Sequence, residues 1–186
     1  ESFRLVGEPE NPRLVTTRTN QDHTERMAAW AKKRAAELEK EDLCGFIFKS
    51  GSPSSGMERV KVYDSNGVPS KIGVGIFARS FMNHFPLLPV EEEGRLHDPR
   101  LRENLIERIF ALKRWRDGLK EKPSLKSLVA FHTRNKLLLL AHSPQHHRQM
   151  GKLVAGGREL SLKDLYARYQ DIFLEEADEQ LQELNQ

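Results

Sequence analysis

The chain has 186 residues, enough for one domain of ordinary size and a smaller second one. Hydrophobic residues make up 38% of the sequence and charged residues 31%, which excludes a disordered chain, and no apolar run has the length of a membrane-spanning helix. The formal net charge is only +3, with basic and acidic residues interleaved. Nucleic acid and membrane are therefore not expected as partners.

The single cysteine excludes an internal disulfide framework and fits a reducing compartment. No secretory signal or transit peptide is recognisable at the start, so the predicted location is the cytoplasm. The sequence enters at Glu1 and ends within a helical pattern, which predicts a fragment of a longer protein. The oligomeric state is left open.

The first quarter of the chain predicts a strand and then a helix. An irregular lead-in ends in a short strand at residues 13–17, rich in β-branched residues. Asp22 or Thr24 then caps a helix that runs to about Lys40. Its predicted buried face, at helical spacing, consists of Met27, Trp30, Ala31, Ala35 and Leu38.

A polar loop between two strands is the most distinctive stretch. Residues 44–48 form an apolar run typical of a buried strand, and residues 58–64 alternate as a half-buried strand does. The loop between them, 49–59, is rich in Ser and Gly, and such loops often carry the binding groups of α/β domains. We expect it either to bind an anion or polar substrate or to be a surface turn. A turn at 64–67 follows the second strand.

Further elements complete an α/β pattern. Gly73 and Gly75 precede a helix at 77–85, whose first amides could hold an anion, although the third glycine of a dinucleotide site is missing. Residues 86–90 predict a short edge strand, and Asp98 with Pro99 begins a helix to about Asp117. The pattern predicts an α/β fold with a small, mainly parallel sheet and flanking helices, followed by an all-α helical module.

A linker at 118–123 is predicted to separate the two parts, giving domains at 1–118 and 119–186. Beyond the linker, Ser124, Ser143 and Ser161 each stand at the start of a helical pattern. Pro144, directly after Ser143, is favourable at a first helical position.

The remaining candidate groups each have a simpler structural explanation. His132, His142, His146 and His147 fall in two helices without metal-ligand spacing, so packing is favoured over metal binding. Residues 91–93, three glutamates, could supply a general base but are more typical of a solvated loop. Asp98 beside His97 is explained by capping, and Cys44 by burial in a strand.

Several long motifs resemble the bacterial thiouracil desulfidase-like domain. They are residues 43–50, 52–63, 73–79, 85–96 and 98–104. Residues 128–136 and 139–144 are similar to the YbgA domain, which is often fused behind the first. By this resemblance, residues 1–118 are the C-terminal part of the desulfidase-like domain and 119–186 the start of the YbgA-like one.

The resemblance implies an enzyme that removes sulfur from thiolated pyrimidine-type small molecules with a [4Fe–4S] cluster. Such desulfidases hold the cluster by three cysteines, of which two lie in motifs upstream of Glu1. The third belongs to a Ser-Pro-Ser-Cys-Gly motif whose cysteine position is here Ser55. The substrate-contacting serine of that motif corresponds to Ser52. Since iron–sulfur clusters require thiolates, this chain alone does not supply the cluster.

Three hypotheses follow. In the first, the protein is desulfidase-like, Ser52 is catalytic, and Lys49, Ser52, Ser55 and Arg59 bind the substrate, with Glu58 a weaker candidate. In the second, it is a non-catalytic small-ligand-binding or regulatory protein that keeps the fold without the cluster. The third, contact with nucleic acid through basic helical residues, is disfavoured by nearby acids; its candidates are Arg134, Lys136, Arg148 and Lys152.

Overall fold

A computed structural model describes residues 1–119 and 123–184. Packing divides the chain into two compact units, Glu1–Arg102 and Glu103–Gln186. The strands are β1 (Phe3–Val6), β2 (Arg13–Thr16), β3 (Phe46–Phe48), β4 (Val60–Tyr63), β5 (Pro69–Gly73) and β6 (Val90–Glu92). The α-helices are α1 (Thr24–Leu38), α2 (Ile76–His84), α3 (Pro99–Leu119), α4 (Leu125–His142), α5 (Pro144–Ala155) and α6 (Leu162–Leu184), and short 3₁₀ turns cover Glu39–Glu41 and Arg95–His97.

The first unit contains two small sheets. One has four strands in the order β2-β1-β4-β5, in which β1 and β4 are parallel and the other two pairs are antiparallel. The other consists of β3 and β6, which run parallel. The α/β prediction is confirmed, and the pairing is mixed rather than mainly parallel. One antiparallel pair has a local cause, since the turn at 64–67 folds β5 back onto β4. The turn was predicted from the sequence, but the hairpin was not.

Helices α1 and α2 cover one face of the larger sheet. Leu5, Leu14, Val60 and Val62 form the buried centre, and Met27 of α1 and Ile76 of α2 pack against it. Lys61, between the two valines of β4, is exposed, as the alternation predicted. On α1, Trp30 was predicted to be buried but is 51% exposed. It keeps an aromatic contact with Phe77, at 5.4 Å between ring centroids.

An aromatic cluster joins the smaller sheet to α2. Phe46 and Phe48 of β3 contact Phe77 and Phe81 of α2, with the closest ring centroids, those of Phe46 and Phe81, 4.3 Å apart. Phe81 and Phe48 are almost completely buried. Burying one such ring stabilises the folded state by about 2–3 kcal/mol. The cluster therefore fixes the end of β3, from which the polar loop departs.

The helical unit is organised around Trp115 of α3. Its indole ring stacks on Tyr169 at 5.3 Å, and the ring of Phe131 meets it edge-on at 5.1 Å. Ser143 caps α5, its Oγ accepting a hydrogen bond from the backbone amide of His146, and Pro144 occupies the first turn. The predicted start of this helix is confirmed.

Two predictions about residues 86–93 are wrong. The strand begins at Val90 instead of Pro86, because Pro86 and Leu87 lie in a turn that is closed by a hydrogen bond from the Leu88 amide to the Phe85 carbonyl at 3.1 Å. The glutamates do not form a solvated loop: Glu91 is 1% exposed and Glu92 is 6% exposed, both within β6.

Two further predictions concern the linker between the two parts and the domain boundary. Residues 120–122 of the predicted linker at 118–123 lie outside the described residues, as does the side chain of His142. Residues 118 and 119 belong to α3, so the linker prediction is wrong there. The domain boundary at residue 118 stays a prediction, while the packing assigns α3 from Glu103 onward to the helical unit. Among the described residues, no helix has both the length and the apolar character needed to cross a membrane.

Candidate functional site

The polar loop folds into a compact turn of hydroxyl-bearing residues. The amide of Gly56 donates to the carbonyl of Ser52 at 2.8 Å, which closes the turn. The Ser52 Oγ accepts from the amide of Ser55 at 3.2 Å and lies 3.1 Å from the Ser54 Oγ. All three serines are half-buried. We call residues 50–57 the serine loop.

The start of α2 holds the serine loop from one side. The amides of Phe77 and Ala78 donate to the Ser54 carbonyl at 2.8 and 3.2 Å, and that of Ile76 donates to the Pro53 carbonyl at 3.3 Å. First-turn amides of a helix have no partner within the helix, so these bonds satisfy them. The anion site predicted at this helix start is therefore replaced by backbone carbonyls of the loop.

Two glycines permit this close approach. A Cβ at Gly75 would lie 2.5 Å from the carbonyl carbon and oxygen of Ser54 and 2.7 Å from the Ser55 nitrogen. At Gly56, a Cβ would lie 2.5 Å from Val60 Cγ2 and 2.9 Å from the Ser52 carbonyl oxygen. Any side chain at either position must displace backbone, so both positions require glycine for steric reasons.

Consecutive glutamates hold the two ends of the serine loop. Glu93 accepts from the amide of Ser50 at 2.7 Å, and Glu92 accepts from the amide of Met57 at 2.9 Å. Glu93 also pairs with Lys49 at 2.6 Å. The hydrogen bond from Lys49, supported by that from the Ser50 amide, lowers the pKa of Glu93 below its ordinary value. At neutral pH the carboxylate therefore remains an acceptor for the loop.

Parallel pairing explains why these glutamates reach the loop. In the register of β3 and β6, Phe48 stands opposite Glu92. Both strands end at the same edge, so the chain leaving β3 passes directly beside the chain leaving β6. The amide of Glu93 donates to the Phe48 carbonyl at 3.0 Å and extends the pairing by one bond.

Arg95 connects a buried glutamate to the far end of the loop. The Arg95 Nε lies 2.9 Å from Glu91 Oε1, and the Arg95 Nη1 donates to Glu58 Oε1 at 2.8 Å. The Glu91 Oε1 also accepts from the amide of Glu92 at 2.8 Å. A buried carboxylate is costly unless paired and hydrogen-bonded, and Arg95 provides that pairing. The sequence analysis missed this arrangement, although Glu91 and Arg95 are four residues apart.

The four residues predicted to bind substrate occupy different settings. Ser52 and Ser55 are joined in the serine loop, whereas Lys49 is exposed and engaged by Glu93. Arg59 is more exposed still, its side chain 76% accessible and 3.8 Å from Glu58. Ser52 contacts a hydroxyl and an amide, neither of which is a base that could take its proton. Its catalytic role and the binding roles of all four stay predictions.

The residues present do not fit an iron–sulfur cluster. At position 55, where the resemblance places a cluster ligand, the loop offers a hydroxyl instead of the thiolate that such a cluster needs. Cys44 precedes β3 and its thiol donates to the Asp42 carbonyl at 3.6 Å. Within the described ranges, no group of three or more His, Cys, Asp or Glu residues could hold a metal ion.

The histidines of the helical unit are engaged in packing. The His132 Nδ1 lies 3.1 Å from the Tyr169 hydroxyl, and its ring stacks on that of His147 at 5.5 Å. Burial lowers the pKa of His132, and the neighbouring His147 and Lys136 lower it further. His146 is buried, with its Nδ1 2.9 Å from the Ser143 Oγ.

A groove between α1 and α2 has a volume of about 520 Å³ and is lined by none of the four predicted site residues. Lys32, Arg79 and His84 contribute the charged part of its lining. Sequence reasoning had placed Arg79 in a motif without assigning it a role, because the groove forms only when the two helices pack.

Comparisons with known proteins give two matches to family models. Residues 1–93, half of the chain, match the family described as 2-thiouracil desulfurase. Residues 136–184 match a second family, described as a protein of unknown function (DUF1722). Neither the curated proteins nor the solved structures gave a significant match to this chain.

Proposed function

We propose that this chain, which belongs to the 2-thiouracil desulfurase family, binds a small thiolated pyrimidine at its serine loop. The observation that carries the proposal is the fixed geometry of that loop. The start of α2 and the two glutamates hold it, and Ser52 and Ser55 are linked within it. A polar site fixed before binding loses little conformational entropy when the ligand arrives.

The chemistry of the loop suits such a ligand. A thiolated pyrimidine presents ring N–H donors together with carbonyl and thiocarbonyl acceptors. Serine hydroxyls both donate and accept, so the hydroxyl-bearing residues of the loop can match both kinds of group. The Ser52 Oγ already accepts from the Ser55 amide at 3.2 Å. Its proton is then directed either to the Ser54 Oγ or to an acceptor on the ligand.

Two candidate functions differ in whether the protein removes sulfur from the bound ligand. Removal of sulfur with a [4Fe–4S] cluster is what family resemblance implies, but Ser55 places a hydroxyl at the position of a cluster thiolate. We therefore assign no reaction step to this chain through a cluster. The second candidate, ligand binding without sulfur removal, is favoured by that hydroxyl. In both cases Ser52 and Ser55 hold the ligand by hydrogen bonds.

Calorimetric titration with 2-thiouracil tests the binding site. Ser55→Ala keeps the backbone amide of residue 55, which donates a hydrogen bond to the Ser52 Oγ. The substitution therefore removes the Ser55 hydroxyl without removing the turn. We expect a loss of affinity of roughly tenfold, the effect of one hydrogen bond. Ser70→Ala, on β5, is the matched control and should bind as the unmodified protein does. Equal affinity of the Ser55→Ala and unmodified proteins would contradict the proposal.

Iron content distinguishes the two functions. Ser55→Cys restores a thiolate to the loop, and Ser70→Cys places one elsewhere. The full-length protein is used, because the resemblance places the other two cluster cysteines upstream of Glu1. After its anaerobic reconstitution with iron and sulfide, bound iron and visible absorption are measured. Iron in Ser55→Cys above that in both Ser70→Cys and the unmodified protein would support a retained cluster site. Background iron in all three would support ligand binding without sulfur removal.

A further inference from the structure

From the groove between α1 and α2, we infer a second binding site, for a small organic anion with an apolar ring. The groove lies within the first unit and is formed by α1, α2 and the turn between β1 and β2. Its volume of about 520 Å³ is within the range of small-molecule sites. Nothing in the family match assigns a role to it.

The charge of the lining favours an anion. Lys32, Arg79 and His84 line the groove, and within the part of the chain that the structure describes no aspartate or glutamate is among its lining residues. Glu39 lies outside the lining, 3.4 Å from the His84 Nε2. The groove therefore holds at least the positive charges of Lys32 and Arg79. In a concave site such charges attract anionic ligands.

Arg79 is held in position without losing its charge. Its guanidinium donates to the backbone carbonyls of Pro9, at 2.9 Å, and of Glu10. Carbonyl groups are neutral, so the positive charge is not cancelled as it would be by a carboxylate. Because the β1–β2 turn fixes the guanidinium, a ligand need not order a flexible side chain to use it. Guanidinium groups also match the planar geometry of a carboxylate.

The rest of the lining fits a ring. Pro12, Ala28 and Ile76 supply apolar surface between the charged groups. On α1, Ala28 stands one turn before Lys32, so its small side chain leaves room beside the cation. A flat apolar body against this surface would place an attached carboxylate near Lys32 and Arg79. An aromatic carboxylate is the simplest molecule with both features.

The test compares benzoate with benzamide, which has the same ring and no charge. Binding is measured by chemical-shift changes of α1 and α2 amides in the full chain. We expect benzoate to bind with a Kd of roughly a millimolar and benzamide at least fivefold more weakly. Lys32→Gln should weaken benzoate binding about fivefold. Lys33→Gln is the matched control, since Lys33 is the next residue on α1 and pairs with Glu37 at 3.9 Å outside the groove.

Three results would overturn the inference. They are equal binding of benzoate and benzamide, equal loss in Lys32→Gln and Lys33→Gln, and no shift of α1 or α2 amides at millimolar benzoate. The site is independent of the serine loop, so Ser55→Ala should bind benzoate as the unmodified protein does. A loss in that variant would also count against a separate site.

Discussion

Replacing Gly75 with alanine is the most direct perturbation of the serine loop. Gly75 has an ordinary φ of −62°, so alanine introduces no backbone strain there. The added Cβ would instead lie 2.5 Å from the Ser54 carbonyl, whereas ordinary contact begins at 3.4 Å. The loop backbone or the helix start must therefore withdraw by about 0.9 Å, the difference between these distances.

Withdrawal of the loop or the helix start would break hydrogen bonds to the Ser54 carbonyl. The amides of Phe77 and Ala78 now donate to the Ser54 carbonyl at 2.8 and 3.2 Å. A withdrawal of the expected size takes both beyond good hydrogen-bond distance. Overpacking costs about 1–3 kcal/mol and each lost hydrogen bond about 1 kcal/mol. We expect the free energy of unfolding of the first unit to fall by about 3–5 kcal/mol, the sum of these costs.

Hydrogen exchange read by mass spectrometry localises the effect. Peptides covering 50–57 and 75–81 should exchange faster in Gly75→Ala, whereas peptides of α5 should not change. Gly151→Ala is the matched control: its Cβ would lie 3.7 Å from the His132 Nε2, an ordinary contact, and alanine favours the helix by about 0.5–1 kcal/mol. Unchanged exchange at 50–57 in Gly75→Ala would refute the close approach of loop and helix.

Two further predictions concern acidic and histidine groups. Glu92→Ala should destabilise the first unit by about 2 kcal/mol because the half-buried Met57 amide loses its acceptor, and Glu92→Gln by less than half of that, as measured by urea denaturation. Equal losses in the two variants would argue against the hydrogen bond. The pKa of His132 is lowered by burial and then by His147. As the pH falls, His132 therefore takes up its proton at a higher pH in the unfolded chain than in the folded one. Stability of the helical unit should therefore be full above about pH 6.5 and fall below it. His147→Gln should reduce this dependence of stability on pH. Thermal unfolding is followed by Trp115 fluorescence in a Trp30→Phe background. A melting temperature that does not change with pH would contradict the reasoning.

Local signals in the sequence were sufficient to predict most elements. Ser143 followed by Pro144 predicted the start of α5, and the alternation around Lys61 predicted which face of β4 is buried. These features depend on residues within one turn or one strand. The serine loop was located for the same reason, since Ser and Gly between two β-like runs form a local pattern.

The restraints on that loop could not be predicted in the same way. A glutamate run reads as solvated because carboxylates are rarely buried. Glu91 is buried because Arg95 pairs with it, and Glu92 because the Met57 amide, 35 positions earlier, donates to it. Such partners are brought together by the parallel pairing of β3 and β6, which the sequence does not reveal on its own. The groove was missed for a related reason, since its lining comes from two helices and a distant turn.

The way the serine loop is held bears on its chemistry. Ser55 joins the turn through its backbone amide, which donates to the Ser52 Oγ, and Glu92, Glu93 and Gly75 act on other backbone atoms of the loop. Because these restraints act on the backbone, cysteine and serine can each occupy position 55 without altering the turn. The residue at 55 then determines whether the loop offers a thiolate or a hydroxyl, not whether the loop forms. Serine at position 55 therefore leaves the geometry of the loop intact, and Ser55→Cys changes the donor atom without changing that geometry.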